Sequence, residues 1–154
     1  MYKFSVLKNN KKIGGQLIYS TKDQSFQSLP LMGGGLCLLL GYLQLVFDPF
    51  TMCAIETWGL SGVISWKNKP IKTPLYSAGQ LKLLANIDDF MLERGYRLEY
   101  ISYTPTYNPA TGWLCYGDYN VDTQDEAVEF ATNIVAVVNN EKLKSIWLKP
   151  DFVD

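Results

Sequence analysis

The sequence predicts an α+β fold in which two helices lie on one face of an antiparallel sheet. Three observations lead to this prediction: an alternating, β-rich first third of the chain, two helix-capping patterns, and the order of elements between residues 62 and 148. The chain has 154 residues and is 47% hydrophobic, enough for one domain to bury a core. We therefore expect a single domain (1–154), with a β-rich extension at 1–61 and a core at 62–148.

The extension is predicted to consist of β-hairpins. Two pairs of alternating segments are separated by polar turns, namely 2–7 with 13–20 and 42–47 with 52–58. The stretch from Gln24 to Phe47 carries no charge, but Gly33-Gly34-Gly35 interrupts it. A membrane helix needs about 20 consecutive apolar residues, so we expect a loop followed by a buried strand, and no membrane span.

The core is predicted to have the order β-α-β-β-α-β, which is the split βαβ order of ferredoxin-like folds. Two capping boxes, Ser77 with Gln80 and Thr123 with Glu126, indicate where the helices begin. Apolar residues follow each box at helical spacing. They are Leu81, Leu84, Ile87 and Met91 in the first helix, and Ala127, Ala131, Ile134 and Val138 in the second. Strands are expected at 62–66, 96–104, 113–121 and 143–148.

Composition excludes several kinds of chemistry. The chain has no histidine, so neither a Ser–His–Asp nor a Cys–His site can form within it. No phosphate-loop pattern surrounds the glycine triplet, and no cofactor is predicted. Cys37, Cys53 and Cys115 form no CxxC pair, and charges interrupt the N-terminal segment before a signal core can form. We therefore expect a cytoplasmic protein.

Residues 98–141 form the most distinctive segment, with seven acids and no lysine or arginine. This charge disfavours nucleic acid, although residues 111–119 occupy the place of the third strand of an RNA-recognition motif and match it at Gly112 and Trp113. Acids beside aromatics are typical of a surface for a basic partner, whereas the alternative is a solvated face with packed aromatics. The predicted partner-binding residues are Glu99, Tyr103, Tyr107, Trp113, Tyr116, Asp118, Asp122, Asp125, Glu126 and Glu129.

The same segment contains a partial calcium-loop pattern. Asp118, Asn120 and Asp122 match positions 1, 3 and 5 of an EF-hand loop, and Glu129 matches position 12. However, Thr123 stands where the loop needs glycine. We predict no metal site, and the pattern leaves open whether these residues bind calcium.

These observations predict a non-enzymatic protein-binding module, in concrete form a bacterial immunity or inhibitor protein that neutralises a basic partner such as a toxin. The alternative is a small-molecule-binding or carboxylate-dependent enzyme domain, with Glu56, Glu99 or Asp118 as acid/base candidates. A pocket that holds a carboxylate of raised pKa would favour this alternative. A third possibility is a self-associating structural or phage subunit.

Overall fold

The computed structural model describes residues 2–91, 94–98, 101 and 104–154. Within these residues, fifteen strands form two mixed sheets. In chain order the strands are β1 (Phe4–Lys8), β2 (Gln16–Ser20), β3 (Ser25–Leu29), β4 (Leu36–Leu40), β5 (Leu43–Phe47), β6 (Ala54–Leu60), β7 (Lys67–Asn68), β8 (Ser77–Leu83), β9 (Gly95–Arg97), β10 (Thr106–Asn108), β11 (Trp113–Gly117), β12 (Glu126–Ala131), β13 (Ile134–Asn139), β14 (Lys142–Leu148) and β15 (Asp151–Val153).

The first sheet has eight strands in the order β1-β8-β12-β13-β14-β11-β10-β7, and the second has seven in the order β15-β2-β3-β6-β5-β4-β9. One hydrophobic core draws on both sheets, since Phe4 and Val128 of the first sheet belong to the same buried cluster as Leu38 and Phe47 of the second. Because side chains alternate between the two faces of a strand, every second residue of the central strands points into this core.

A second, smaller apolar cluster covers the opposite face of the eight-stranded sheet. In β13, Ile134, Ala136 and Val138 join the main core, while Val135 and Val137 join the second cluster. Trp147 of β14 packs in this second cluster and is 1% exposed. The middle strands of this sheet are therefore buried on both faces.

The α+β prediction is wrong, because the protein is almost entirely β. Apart from two short 3₁₀ turns, Val63–Ser65 and Ile87–Asp89, the described part of the chain contains no helix. The first predicted helix begins in β8, where Gly79, Leu81 and Leu83 are buried and alternate with more exposed residues. Because Gly79 has no side chain, the backbone of β1 lies close against β8 at this position. This close strand-to-strand contact is a feature of a sheet and not of a helix.

The second predicted helix is the β12–β13 hairpin, turning at Thr132-Asn133, where Asn133 has φ of 62°. Burial on both faces requires apolar residues at almost every position, so the segment also satisfies a helical spacing. Its dense valine and isoleucine content was the better signal, because β-branched side chains favour strands. The ferredoxin-like core at 62–148 is therefore absent.

The extension was predicted more accurately in its second half. The hairpin at 42–47 and 52–58 is confirmed as β5 and β6. The pairing of 2–7 with 13–20 is wrong, because β1 pairs with β8 and β2 pairs with β3 and β15. The strand expected at 62–66 is a 3₁₀ turn. In the predicted strand at 96–104, β9 covers the first residues and four positions lie outside the described residues.

The uncharged stretch forms β-structure rather than a membrane helix. Leu36, Leu38 and Leu40 of β4 are fully buried, as expected for the predicted buried strand. Among the residues that the structure describes, no helix is long and apolar enough to cross a membrane.

We predict that Gly79→Ala destabilises the protein by about 1–3 kcal/mol, as overpacking of a well-packed interior does. A Cβ at this position would lie 2.0 Å from the carbonyl oxygen of Leu7 and 2.9 Å from Val128. Urea unfolding measures the change. Gly14→Ala is the matched control, because a Cβ there meets nothing within 4 Å. Equal stability of the two variants would show that β1 and β8 are not packed this closely.

Candidate functional site

The predicted acidic residues lie mainly in the connection between β11 and β12. We call this connection, together with Glu126 at the start of β12, the acidic loop (residues 118–126). Lys144 of β14 reaches into this loop. Its Nζ donates hydrogen bonds to the Asn120 carbonyl and to Asp125 Oδ2, the latter at 2.7 Å. The Lys144 and Asp125 side chains are 12% and 9% exposed, so this ion pair is largely withdrawn from water.

A β-bulge explains how Lys144 reaches the loop. The register of β13 and β14 shifts between Val137, which pairs with Ser145, and Val138, which pairs with Leu143. Lys144 is the extra residue, and a bulge re-aims the side chain that it contains. The carbonyl of Lys144 also accepts a hydrogen bond from the backbone amide of Asp118, so both ends of this residue hold the loop.

Asp125 is the centre of the hydrogen bonds within the loop. Its Oδ1 accepts from Asn139 Nδ2 at 2.9 Å, and its Oδ2 accepts from the Asp122 amide at 3.0 Å. Burial alone would raise the pKa of Asp125, but the hydrogen bonds from Lys144, Asn139 and Asp122 outweigh it and lower the pKa below its usual value. The carboxylate therefore stabilises the fold above pH 3.8, and that contribution is lost as pH falls through the lowered pKa.

Three carboxylates of the loop remain exposed: Asp118, Asp122 and Glu126. Asp118 Oδ1 and Asp122 Oδ1 each accept a hydrogen bond from a backbone amide two residues later, at 2.9 and 2.8 Å. Beside them lies a surface depression of about 470 Å³, lined also by Asn139 and Lys144. The loop thus exposes carboxylates on a backbone that several hydrogen bonds hold in place.

Pairing with lysines outside the segment reduces the charge that the sequence alone suggests. Glu129 is 9% exposed and accepts hydrogen bonds from Lys12 Nζ at 3.0 Å and from the Asn133 amide at 2.9 Å. Asp125 is paired with Lys144 as described. Two of the predicted partner-binding acids therefore serve internal contacts, and the exposed charge is concentrated at the acidic loop.

The calcium pattern does not come together as a loop of oxygen ligands. Glu129 lies in β12 with Lys12, and Lys144 takes the Asn120 carbonyl. The helix that follows an EF-hand loop is replaced by a strand. Within the described residues, no group of three His, Cys, Asp or Glu side chains is placed to hold a metal ion.

The predicted aromatic residues lie away from the loop surface. Trp113 and Tyr116 are 7% and 2% exposed, and the Tyr116 hydroxyl lies 2.6 Å from Ser61 Oγ. Half-buried Tyr107 packs on Trp66, with ring centroids 5.3 Å apart. The two remaining predicted residues, Glu99 and Tyr103, lie outside the described residues.

A second candidate site surrounds Glu56, one of the acid/base candidates. Glu56 lies in β6 just after a bulge, because Val46 pairs with Glu56 while Phe47 pairs with Ala54, leaving Ile55 as the extra residue. The bulge places Glu56 and Val46 on the outer face of the seven-stranded sheet. Both line a pocket of about 430 Å³, together with Leu31, Gly33, Gly34, Gly35, Cys37 and Trp58.

Burial dominates the electrostatics of this pocket. Glu56 is 2% exposed, and desolvation raises the pKa of its carboxyl group, while a hydrogen bond from the Met32 amide acts in the opposite direction. Burial, and then the charge of Glu56, raises the pKa of the Cys37 thiol. The pocket therefore holds the raised-pKa carboxylate that favours the small-molecule alternative.

Sequence reasoning missed Lys144, Asn139 and the pocket around Glu56. The basic residues of β14 follow the acidic segment directly, which was a usable signal for their pairing. No local pattern indicates either bulge. A comparison with protein-family models gave no match, and neither did a search of curated protein sequences.

We predict that Lys144→Met destabilises the protein by about 3 kcal/mol, because it leaves the largely buried Asp125 carboxylate without its cation. Amide hydrogen exchange in the acidic loop should also become faster. Urea unfolding and exchange monitored by mass spectrometry measure the two effects. Lys22→Met, at an exposed turn residue, is the control. Unchanged exchange in the loop would contradict the role assigned to Lys144.

We predict that Glu56→Gln stabilises the protein at neutral pH by about 1 kcal/mol, because it removes a buried charge and keeps the side-chain shape. In the wild type, the raised pKa means that stability falls as pH rises from 4.5 through the pKa of the folded state. The glutamine variant should lack this decrease.

Urea unfolding at several pH values measures the effect of Glu56→Gln. The matched control is Glu141→Gln, at an exposed position, which should change stability by less than about 0.5 kcal/mol. A destabilised Glu56→Gln variant would mean that the ionised carboxylate is favourably paired in the free protein.

Proposed function

We propose that this protein is a non-enzymatic protein-binding module that recognises a basic partner through the acidic loop. Its concrete form would be a bacterial immunity or inhibitor protein that neutralises a basic toxin. One observation carries the proposal. The hydrogen bonds of Lys144 and Asp125 hold the backbone of the loop in place, while Asp118, Asp122 and Glu126 remain exposed. An unspecific solvated face would not need this framework.

Preorganisation is what makes such a loop useful for binding. A loop that is already ordered loses less conformational entropy when a partner arrives, so more of the contact energy appears as affinity. Exposed carboxylates raise the rate of encounter with a basic surface and disfavour acidic competitors. For a toxin that acts on a polyanion, the same carboxylates would compete for its basic groove.

The loop also offers an apolar contact. Val121 is 68% exposed at the middle of the loop, between Asp118 and Asp122. Interfaces commonly combine a small apolar contact with a charged rim. Tyr119 lies two residues before Val121 in the loop, and its hydroxyl accepts a hydrogen bond from Lys69 Nζ at 2.7 Å, which holds the ring in place.

A cytoplasmic location is part of the proposal. Cys37, Cys53 and Cys115 are all free thiols, which suits a reducing compartment. Cys53 and Cys115 are buried, so neither is exposed for pairing with another chain.

We predict that the triple variant Asp118→Asn, Asp122→Asn, Glu126→Gln weakens binding to the native partner by about tenfold or more and reduces the salt dependence of association. The partner is first captured from the native host with the wild-type protein, then purified. Association and dissociation rates are measured at several salt concentrations. The loss should fall mainly on the association rate, because the carboxylates act at a distance.

A second triple variant, Asp23→Asn, Asp88→Asn, Asp89→Asn, removes the same charge from exposed positions elsewhere and is the control. If both variants lose affinity equally, net charge and not the acidic loop is responsible. Recovery of the wild-type protein alone would overturn the proposal. Recovery only as a defined oligomer, seen by light scattering, would favour a self-associating subunit instead.

A further inference from the structure

The pocket around Glu56 lies on a different sheet from the acidic loop, and its chemistry is different. We propose that it binds a small hydrophobic ammonium ion, with Glu56 as the counter-ion and the apolar walls accepting the hydrocarbon part. This inference is independent of the proposed partner binding, because none of the pocket residues belongs to the acidic loop.

The position of Glu56 is the first argument. Without the bulge at Ile55, strict alternation after the buried Ala54 would turn Glu56 into the main core. The bulge instead places Glu56 among the residues that line the pocket, and the following residue, Thr57, takes the inward position opposite Leu45. Bulges are over-represented next to functional sites, where they re-aim a side chain.

Charge complementarity is the second argument. Glu56 is 2% exposed, yet among the described residues that line the pocket there is no lysine or arginine. A buried carboxylate is costly unless it is paired, and the Met32 amide supplies one hydrogen bond rather than a charge. An ammonium group entering the pocket would supply the missing positive charge.

The walls define the rest of the ligand. Trp58, Val46 and Leu31 give the pocket a mainly apolar lining, and its volume of about 430 Å³ lies in the range of small-molecule sites. Trp58 lines the same pocket as Glu56, so an aromatic ring can contribute to the attraction of a cation there. An inorganic cation would leave these walls uncovered, whereas an organic amine would fill them.

The glycine triplet leaves the pocket accessible. A Cβ on Gly33 or Gly34 would meet nothing within 4 Å, so these residues border open space. Gly35 instead lies against the backbone, where a Cβ would be 2.4 Å from the Phe47 carbonyl oxygen. The loop can therefore lie flat along the edge of the pocket without side chains that would fill it.

Calorimetric titration with phenethylamine tests the proposal, with phenethyl alcohol as the neutral probe of the same shape. We expect the wild type to bind the amine at least about tenfold more tightly than the alcohol, because only the amine pairs with the carboxylate. Glu56→Gln should abolish this preference while keeping the pocket shape. The control Glu141→Gln should bind as the wild type does.

Alkylation of Cys37 with iodoacetamide gives a second, site-specific measurement. Cys37 is partly exposed and lines the pocket, whereas Cys53 and Cys115 are buried. In the wild type, phenethylamine should lower the rate of Cys37 alkylation in proportion to the fraction of pockets that it occupies. At the same amine concentration, the alkylation rate of the Glu56→Gln variant should not change.

Lowering the pH should release the amine, because Glu56 becomes protonated and loses its charge. Cys37 is the other titratable group among the described residues that line the pocket, and its thiol is uncharged at acidic pH. Equal binding of amine and alcohol, unchanged binding by Glu56→Gln, or no binding of the amine up to about 10 mM would each overturn the proposal. None of these results depends on the acidic loop or its partner.

Discussion

The antiparallel pairing of β13 with β14 is the contact on which the rest of the structure depends. It lies in the middle of the eight-stranded sheet and is buried on both faces, so each apolar residue of the pair belongs to one of two apolar clusters. The main cluster joins this sheet to the seven-stranded one, and the second covers its outer face. A strand with two buried faces cannot slip by one residue without exchanging its two side-chain sets, so the register is determined on each side of the bulge at Lys144.

Both candidate sites are exceptions to that regular alternation. In β14 a bulge at Lys144 turns an ammonium group toward the acidic loop, and in β6 a bulge at Ile55 turns Glu56 into an outer pocket. The two buried charges differ in their partners. Lys144 is matched by Asp125, which gives a rigid loop, whereas no cation is among the described residues that line the pocket with Glu56. The paired charges of Lys144 and Asp125 stabilise the fold and hold the exposed carboxylates of the acidic loop in place. The uncompensated charge of Glu56 instead favours the binding of a cationic ligand.

The sequence identified many of the strands but not the class of the fold. The β5–β6 hairpin was predictable because Asp48-Pro49 marks the turn and alternation marks the strands. Helices beginning at Ser77 and at Thr123 were predicted wrongly because capping boxes are short patterns that also occur before strands. Dense apolar residues then matched helical spacing by chance. For β12 and β13, weighing valine and isoleucine content above spacing would have corrected the error.

The sequence by itself determined the absence of histidine chemistry, the acidic character of residues 98–141 and the buried strand that follows the glycine triplet, because each of these follows from composition or local pattern. Only the tertiary structure decided which acids remain exposed, since Lys12 in the N-terminal part of the chain reaches Glu129 and Lys144 in β14 reaches Asp125. It also decided that Glu56 lines a pocket. The physical reason is the same in both cases: strand pairing and bulges determine which side chains meet, and neither is encoded in a local stretch of residues.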